Sequence, residues 1–138
     1  MLQTKEGMEL TTDTLNNKKL VALYFSAHWC PPCVAFTPVL VKFYEELKKE
    51  DPDALEIVFV SSDGNEEEFS AYYETHPWAA IPFTQRSTMQ YLTRQYGVRS
   101  IPTLIVLDGR DGHVKDDNAR SLVAGNRGET TGALAKWL

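Results

Sequence analysis

The sequence predicts an α/β fold in which helices cover a mixed β-sheet. Two short apolar segments, residues 20–25 and 55–60, are rich in β-branched and aromatic side chains, as is typical of strands buried on both faces. Between them, residues 34–49 carry apolar side chains at three- and four-residue steps, which indicates an amphipathic helix. A strand, a helix and a second strand in this order predict parallel strands joined by a right-handed crossover.

Composition and charge indicate one globular domain over residues 1–138. A net charge of −5 argues against broad binding of nucleic acid, because phosphates require a basic face. No apolar segment approaches the ~20 residues that cross a bilayer. Met1 to Glu6 lack the apolar centre of a signal peptide. We therefore predict a cytoplasmic monomer without membrane partners. A nuclear or organellar location stays open, since a targeting segment outside this sequence would change the prediction.

The N-terminal half begins with a short edge strand and a turn or helical piece over residues 8–15, followed by a polar turn at 16–19. The long helix then carries one apolar stripe, made of Phe36, Val39, Leu40, Phe43, Tyr44 and Leu47. Pro38 interrupts that helix, so we expect a kink near Thr37. Asp51-Pro52-Asp53 ends it.

The second strong strand is followed by a turn and a helix capped by Asp63 or Asn65, whose first turn holds three glutamates. Residues 78–83 predict an apolar loop, because they hold too many prolines for a central strand. Ser87 is predicted to cap a further helix that ends at Gly97.

The C-terminal part begins with a strand over residues 103–107, and a hairpin turn at 108–112 leads into 113–115. The remaining residues have a mixed pattern. Ala133, Leu134 and Trp137 indicate a final helix.

The chemistry of the chain is concentrated in Trp29-Cys30-Pro31-Pro32-Cys33, which holds both cysteines and lies where the first strong strand meets the long helix. If Cys30 is the N-cap, the prolines take the first two helical positions, where a missing N–H does no harm. A helix N-terminus stabilises a thiolate relative to a thiol. Spacing of three on a helix also places Cys33 within disulfide reach of Cys30.

A redox-active dithiol is the interpretation that this arrangement favours. Cys30, at the exposed helix start, is the candidate for attack, and Cys33 is the candidate for resolving the mixed disulfide. The alternatives are a zinc site and a purely structural disulfide. Zinc normally needs four ligands, and the three histidines are scattered, so no metal is predicted. A four-residue disulfide loop removes little chain entropy, so a structural bridge is disfavoured. Disulfide exchange requires no organic cofactor.

This order of elements, with Trp-Cys-X-X-Cys at the first strand-to-helix junction, resembles the thioredoxin fold over nearly the whole chain. Pro38 lies five residues after Cys33, where thioredoxins kink the same helix. Ile101-Pro102-Thr103 resembles the cis-proline loop that faces the disulfide in that fold. The resemblance implies a central mixed β-sheet flanked by helices, and a partner segment held by Pro102 and the backbone around Ile101.

Within that superfamily, Tyr-Phe-Ser-Ala-X-Trp-Cys-Pro-Pro-Cys over residues 24–33 and Pro-Trp-Ala-Ala-Ile-Pro over 77–82 resemble the tryparedoxin and nucleoredoxin branch. The resemblance implies a thiol–disulfide oxidoreductase that reduces protein disulfides, those of peroxiredoxins among them. It implies trypanothione, glutathione or thioredoxin reductase as electron donor. Substrate contacts are expected from Trp29, Pro31 and Pro32. Arg120 resembles the substrate-binding arginine of tryparedoxins.

Two departures from the family patterns affect these expectations. Tyr24 stands where thioredoxin carries a buried aspartate that helps to deprotonate the resolving cysteine. Ser62 and Gly64-Asn65 stand where tryparedoxins carry a tryptophan and two acids that help to hold a polyamine–glutathione conjugate. Weak use of trypanothione is therefore expected. Resemblance to nucleoredoxins also implies an alternative function, a redox-sensing binding module that regulates a signalling partner.

Overall fold

The computed structural model describes residues 1–127, 129–130 and 133–138. Its strands are β1 (Leu2–Thr4), β2 (Gly7–Glu9), β3 (Leu20–Ser26), β4 (Leu55–Ser61), β5 (Ala79–Ala80), β6 (Thr103–Asp108) and β7 (Val114–Asp116). Its helices are α1 (Thr11–Leu15), α2 (Pro31–Glu50), α3 (Glu66–Tyr73), α4 (Arg86–Gln95), α5 (Ala119–Gly125) and α6 (Ala133–Trp137).

One mixed sheet contains these strands in the order β2-β1-β5-β4-β3-β6-β7. The central strand β3 pairs parallel with β4 and antiparallel with β6. At the edges, β1 pairs antiparallel with β2, and β6 pairs antiparallel with β7. The predicted α/β class, the parallel first pair and the mixed sheet are confirmed.

Helices cover both faces of this sheet. Alternate residues of β3 point to opposite sides, as the pleat requires. Leu20 and Tyr24 pack into a core with buried residues of α2, α3, α5 and α6. Val21 and Phe25 pack into a second core, against which partly buried residues of α1 and α4 lie. All residues of β3 and β4 are buried, which explains the near-continuous apolarity of both segments.

Helix α2 begins as the sequence predicts. Cys30 is its N-cap, and Pro31 and Pro32 take the first two helical positions. The apolar stripe faces the core, with Phe36, Leu40, Phe43, Tyr44 and Leu47 buried. The helix continues through Pro38, which lacks the N–H that would bond to the carbonyl of Val34. The kink near Thr37 stays a prediction.

The prediction of a loop over residues 78–83 is wrong for its first part. Ala79 and Ala80 form the short strand β5, which lies inside the sheet between β1 and β4. Ala80 pairs with Phe59 on one side and Gln3 on the other. The flanking prolines limit this strand to two residues but do not exclude it, because they stand outside the paired positions. Strand β1 carries too short a pattern to be predicted.

Helix α4 begins before the predicted cap. Gln85, and not Ser87, is its N-cap, and the Gln85 side chain makes no capping hydrogen bond. The predicted end at Gly97 is confirmed by a left-handed φ of 61°. The amides of Gly97 and the following residue donate to the carbonyls of Arg94 and Thr93, as in a Schellman motif.

The remaining helices follow the predictions in part. Asn65 caps α3 by accepting a hydrogen bond of 2.8 Å from the amide of Glu68. Helix α6 is the predicted final helix. The sequence pattern does not predict α5, because only Ala119 and Val123 in it are buried. Within the described residues, no helix combines the length and apolarity of a bilayer span.

His76 gives the fold a pH-sensitive position. The side chain is 1% exposed and lies among aromatic rings. Its Nδ1 accepts a hydrogen bond of 3.2 Å from Trp78 Nε1, and its Nε2 has no partner within the described residues. Burial lowers the pKa of His76 from 6.5 to about 3, and the nearby charges of Lys5 and His28 act in the same direction.

We expect this histidine to weaken the fold as the pH falls from 6.5 towards 3. Above that range the ring is neutral in both states. Within it, the unfolded chain takes up a proton that the folded chain does not accept, which costs at most about 1.4 kcal/mol per pH unit. Urea unfolding of the wild type and of His76→Phe between about pH 7 and about pH 4 checks this. The wild type should lose more stability than the variant, and identical pH dependence would contradict the assignment.

Candidate active site

The two cysteines form a disulfide at the N-terminus of α2, with Cα atoms 5.2 Å apart. The Sγ of Cys30 lies 3.8 Å from the carbonyl oxygen of Ile101. Ile101 packs against a small cluster that contains both cysteines and Ala27. The Ile101–Pro102 peptide bond is cis, as the family resemblance implied. The helix start and the cis-proline loop therefore meet at the disulfide.

Cys30 is less accessible than the sequence predicts. Cys33 is 0% exposed and Cys30 only 5% exposed, because the loop at Ile101 covers the sulfur. Trp29, in contrast, is 61% exposed, and Pro31 and Pro32 are exposed at the helix start. The exposed surface around Cys30 is therefore formed by Trp29, Pro31 and Pro32.

A buried aspartate holds the segment before Cys30. Asp63, 4% exposed, accepts hydrogen bonds of 2.7 Å from the amide of His28 and from the hydroxyl of Ser61. Trp29 Nε1 donates to the carbonyl of Ser62 at 3.1 Å. The motif is thus tied to the end of β4. The sequence presents Asp63 only as a candidate helix cap. Asp63 closely follows β4, the strand that pairs with β3, and this position is the sequence feature that indicates its role in holding the motif.

Arg86 supports the same strand end. Its Nη1 donates to the carbonyl of Ser61 at 2.9 Å, and its guanidinium lies 4.0 Å from the ring centroid of Phe83. Burial lowers the pKa of Arg86, and the charge of Asp63 acts in the opposite direction. Nothing in the local sequence indicates this contact, because it joins α4 to a strand end 25 residues earlier.

Behind the disulfide, four hydroxyls form a buried hydrogen-bond chain. The Thr37 hydroxyl donates to the carbonyl of Cys33 at 2.9 Å and lies 2.8 Å from the Tyr24 hydroxyl and 2.6 Å from the Tyr72 hydroxyl. Ser26 lies 2.6 Å from the same Tyr72 oxygen. Burial, and next the neighbouring Tyr72, raise the pKa of Tyr24, so its hydroxyl stays neutral. The neutral hydroxyl of Tyr24 therefore occupies the place of the aspartate in the thioredoxin pattern.

Arg120 reaches the cis-proline loop from α5. Its Nη1 donates to the carbonyl of Pro102 at 3.3 Å, so part of its hydrogen-bonding capacity is used within the chain. On the other side of the motif, His28 stacks on Tyr72 at 5.2 Å, and its Nδ1 lies 3.4 Å from a carboxylate oxygen of Glu68. The structure thus brings all the predicted site residues to one end of the sheet.

Comparisons with known proteins agree with this geometry. A family model described as Thioredoxin-like matches residues 17–114. A tryparedoxin from Trypanosoma brucei brucei is 50% identical over 105 residues, which cover 76% of this chain and 72% of that protein. A nucleoredoxin from Mus musculus is 45% identical over 107 residues, or 78% of this chain. The match covers 24% of the nucleoredoxin, so the chain spans about a quarter of that relative's length.

A solved structure gives the same result. Tryparedoxin II complexed with glutathionylspermidine has a TM-score of 0.84 and 35% identity to this chain, and the match covers 91% of this chain and 85% of that one. The matches, together with the bonded Cys30–Cys33 pair at the helix start, make this a redox-active cysteine site. The chain belongs to the thioredoxin-like family, in the branch of the tryparedoxins and nucleoredoxins, and is a thiol–disulfide oxidoreductase.

Proposed function

We propose that the chain reduces disulfides of partner proteins, with Cys30 as the nucleophile and Cys33 as the resolving cysteine. The observation that carries this assignment is the position of Cys30. It is the N-cap of α2, it alone of the pair has accessible surface, and its sulfur faces the carbonyl of Ile101. The N-terminal end of a 20-residue helix favours a thiolate at this position.

The exchange balances as two substitutions at sulfur. The Cys30 thiolate attacks one sulfur of the partner's disulfide, a mixed disulfide forms, and the partner's other sulfur leaves as a thiolate. The Cys33 thiolate then attacks Cys30 Sγ, the Cys30–Cys33 bond forms, and the second partner thiolate leaves. Two electrons pass to the partner, whose thiolates take up protons. A donor dithiol reverses these steps to restore the reduced chain.

The loop at Ile101 suits an extended partner segment. The Ile101 amide makes no hydrogen bond within the described residues, and its carbonyl meets only the sulfur of Cys30. A segment lying along this backbone adds main-chain hydrogen bonds, as in strand addition to a sheet edge. Trp29 offers a flat apolar surface beside it, and Pro102 together with Arg120 fixes the loop from behind.

We propose peroxiredoxins as a partner class, as the resemblance to tryparedoxins implies. We also propose the reducing cytoplasm as the compartment, because a dithiol reductase must be kept reduced there. For the donor, we propose that trypanothione serves poorly. The carbonyl of Ser62 accepts a hydrogen bond from Trp29, and neither Ser62 nor Gly64 carries the aromatic ring or the carboxylate that would hold a polyamine. Glutathione and thioredoxin reductase are the remaining candidates.

A donor comparison tests this proposal. We expect trypanothione to reduce the chain about tenfold less efficiently than it reduces a tryparedoxin, since lost ion pairs and a lost cation–π contact add to roughly that factor. Ser62→Trp with Gly64→Glu should improve the rate. Peroxiredoxin-coupled NADPH oxidation measures it, and insulin reduction with dithiothreitol is the control that both forms should pass equally. Efficient trypanothione reduction of the unmodified chain would contradict the donor proposal.

A redox-sensing binding module is the second candidate. The observation that favours it is the exposure of Trp29 directly beside the disulfide, where a partner bound to the ring would also contact the cysteine pair. A partner that binds one oxidation state alone, together with slow turnover, would support this function. Binding indifferent to oxidation together with rapid turnover would reject it.

A further inference from the structure

An open groove of about 260 Å³ lies beside the disulfide and is lined by the residue before Cys30 and by the loop before Pro102. Its lining includes Trp29 and Ile101, the apolar side chains of Phe25 and Val98, and Arg99. The groove is continuous with the reactive site, because Trp29 precedes Cys30 and Ile101 contacts its sulfur. A segment bound at the disulfide therefore enters this groove.

Arg99 is the charged side chain of this groove. It is exposed, and no hydrogen bond or ion pair to its guanidinium occurs within the described residues. The chain has a net charge of −5, so the unpaired positive charge at the reactive end is opposite in sign to the charge of the protein as a whole. The opposite flank is acidic, since His28 contacts Glu68 at the start of α3. The site therefore has a cationic side and an acidic side.

We infer that Arg99 selects partner segments that carry an acidic residue two positions from the attacked cysteine. In an extended segment, residues two apart point to the same side. Residues two apart in such a segment lie about 7 Å from each other, so when the partner's cysteine lies at Ile101, the residue two positions away is within reach of the long Arg99 side chain in the same groove. The intervening residue turns to the other side, and the apolar groove between Trp29 and Val98 favours uncharged side chains along the segment.

This inference rests on the proposed reductase function and adds a substrate class to it. The preference is modest, because an exposed ion pair changes kcat/KM by only about two- to fivefold. It is also sensitive to salt, because the screening length falls to about 3 Å at about 1 M salt.

Short symmetric disulfide-bonded peptides that carry Glu, Gln or Lys two positions before or after the cysteine provide the test. We expect the Glu peptide of one series to be reduced about two- to fivefold faster than its Gln counterpart, with the Lys peptide slowest. The series that responds reveals the direction of the bound segment. Arg99→Glu should reverse the order, and high salt should remove it.

Lys49→Glu is the matched control, since it makes the same change in net charge at the exposed far end of α2. It should leave the preference intact. Equal rates for the Glu and Gln peptides in both series would overturn the inference, as would an Arg99→Glu enzyme with unchanged preference. Failure to reduce any peptide would instead overturn the proposed reductase function, so the two failures are distinguishable.

Discussion

Replacing Cys30 with serine is expected to abolish disulfide reduction, with a loss on the order of 10³-fold or more. A serine hydroxyl is not ionised near neutral pH and is a poor nucleophile towards sulfur, and the helix N-terminus that favours a thiolate cannot supply one from it. Insulin reduction, followed by turbidity with dithiothreitol as donor and corrected for the uncatalysed rate, measures the effect.

Cys33→Ser is the matched variant, and it should fail at a later step. Cys30 still attacks, but no second thiolate is present to release the partner, so a mixed disulfide accumulates. Intact mass under non-reducing conditions should show this adduct for Cys33→Ser and not for Cys30→Ser. Urea unfolding of both variants should match that of the reduced wild type. Full activity of Cys30→Ser would reject its role as nucleophile.

Gly109→Ala is expected to destabilise the fold by about 3 kcal/mol. The amide of Gly109 donates to the carbonyl of Lys19 at 2.8 Å, which brings the turn after β6 directly onto the segment that enters β3. A Cβ at this position would overlap the carbonyl oxygen of Lys18. Because that neighbour is backbone next to the central strand, no side-chain rotation relieves the overlap. The strands β3 and β6 must shift apart instead.

Gly125→Ala is the control for this substitution. A Cβ at Gly125, the last residue of α5, meets nothing within 4 Å. Alanine there should be neutral or should stabilise by up to about 1 kcal/mol, since it reduces the entropy of the unfolded chain. Urea unfolding of both variants under reducing conditions compares them. Equal free energies of unfolding for the two variants would contradict the close approach at Gly109.

The long elements and the motif were predictable because their signals are local. An apolar run such as residues 20–25 and a stripe such as that of α2 each span several residues, so the pattern is unambiguous. Cys30 as N-cap followed from the prolines after it. The cis bond at Ile101–Pro102 followed from the family resemblance alone, since a proline in a sequence does not by itself indicate its isomer.

The rest depends on contacts between distant segments. β5 has two residues, and only its partners in β1 and β4 make it a strand. The hydrogen bond of Asp63 to the loop before Cys30 joins residues 35 positions apart, and no periodic pattern in the sequence indicates it. The burial of Cys30 has the same origin, because the covering residue Ile101 lies 71 positions away.

The order in which the reduced cysteines react tests the central claim most directly. Brief iodoacetamide treatment at neutral pH, followed by mass mapping of the labelled peptides, reports which thiol is both accessible and ionised. Cys30 should be labelled first, because it is the helix N-cap and has accessible surface, whereas Cys33 is fully buried one turn further on. Preferential labelling of Cys33 would contradict the assignment of Cys30 as the attacking thiolate.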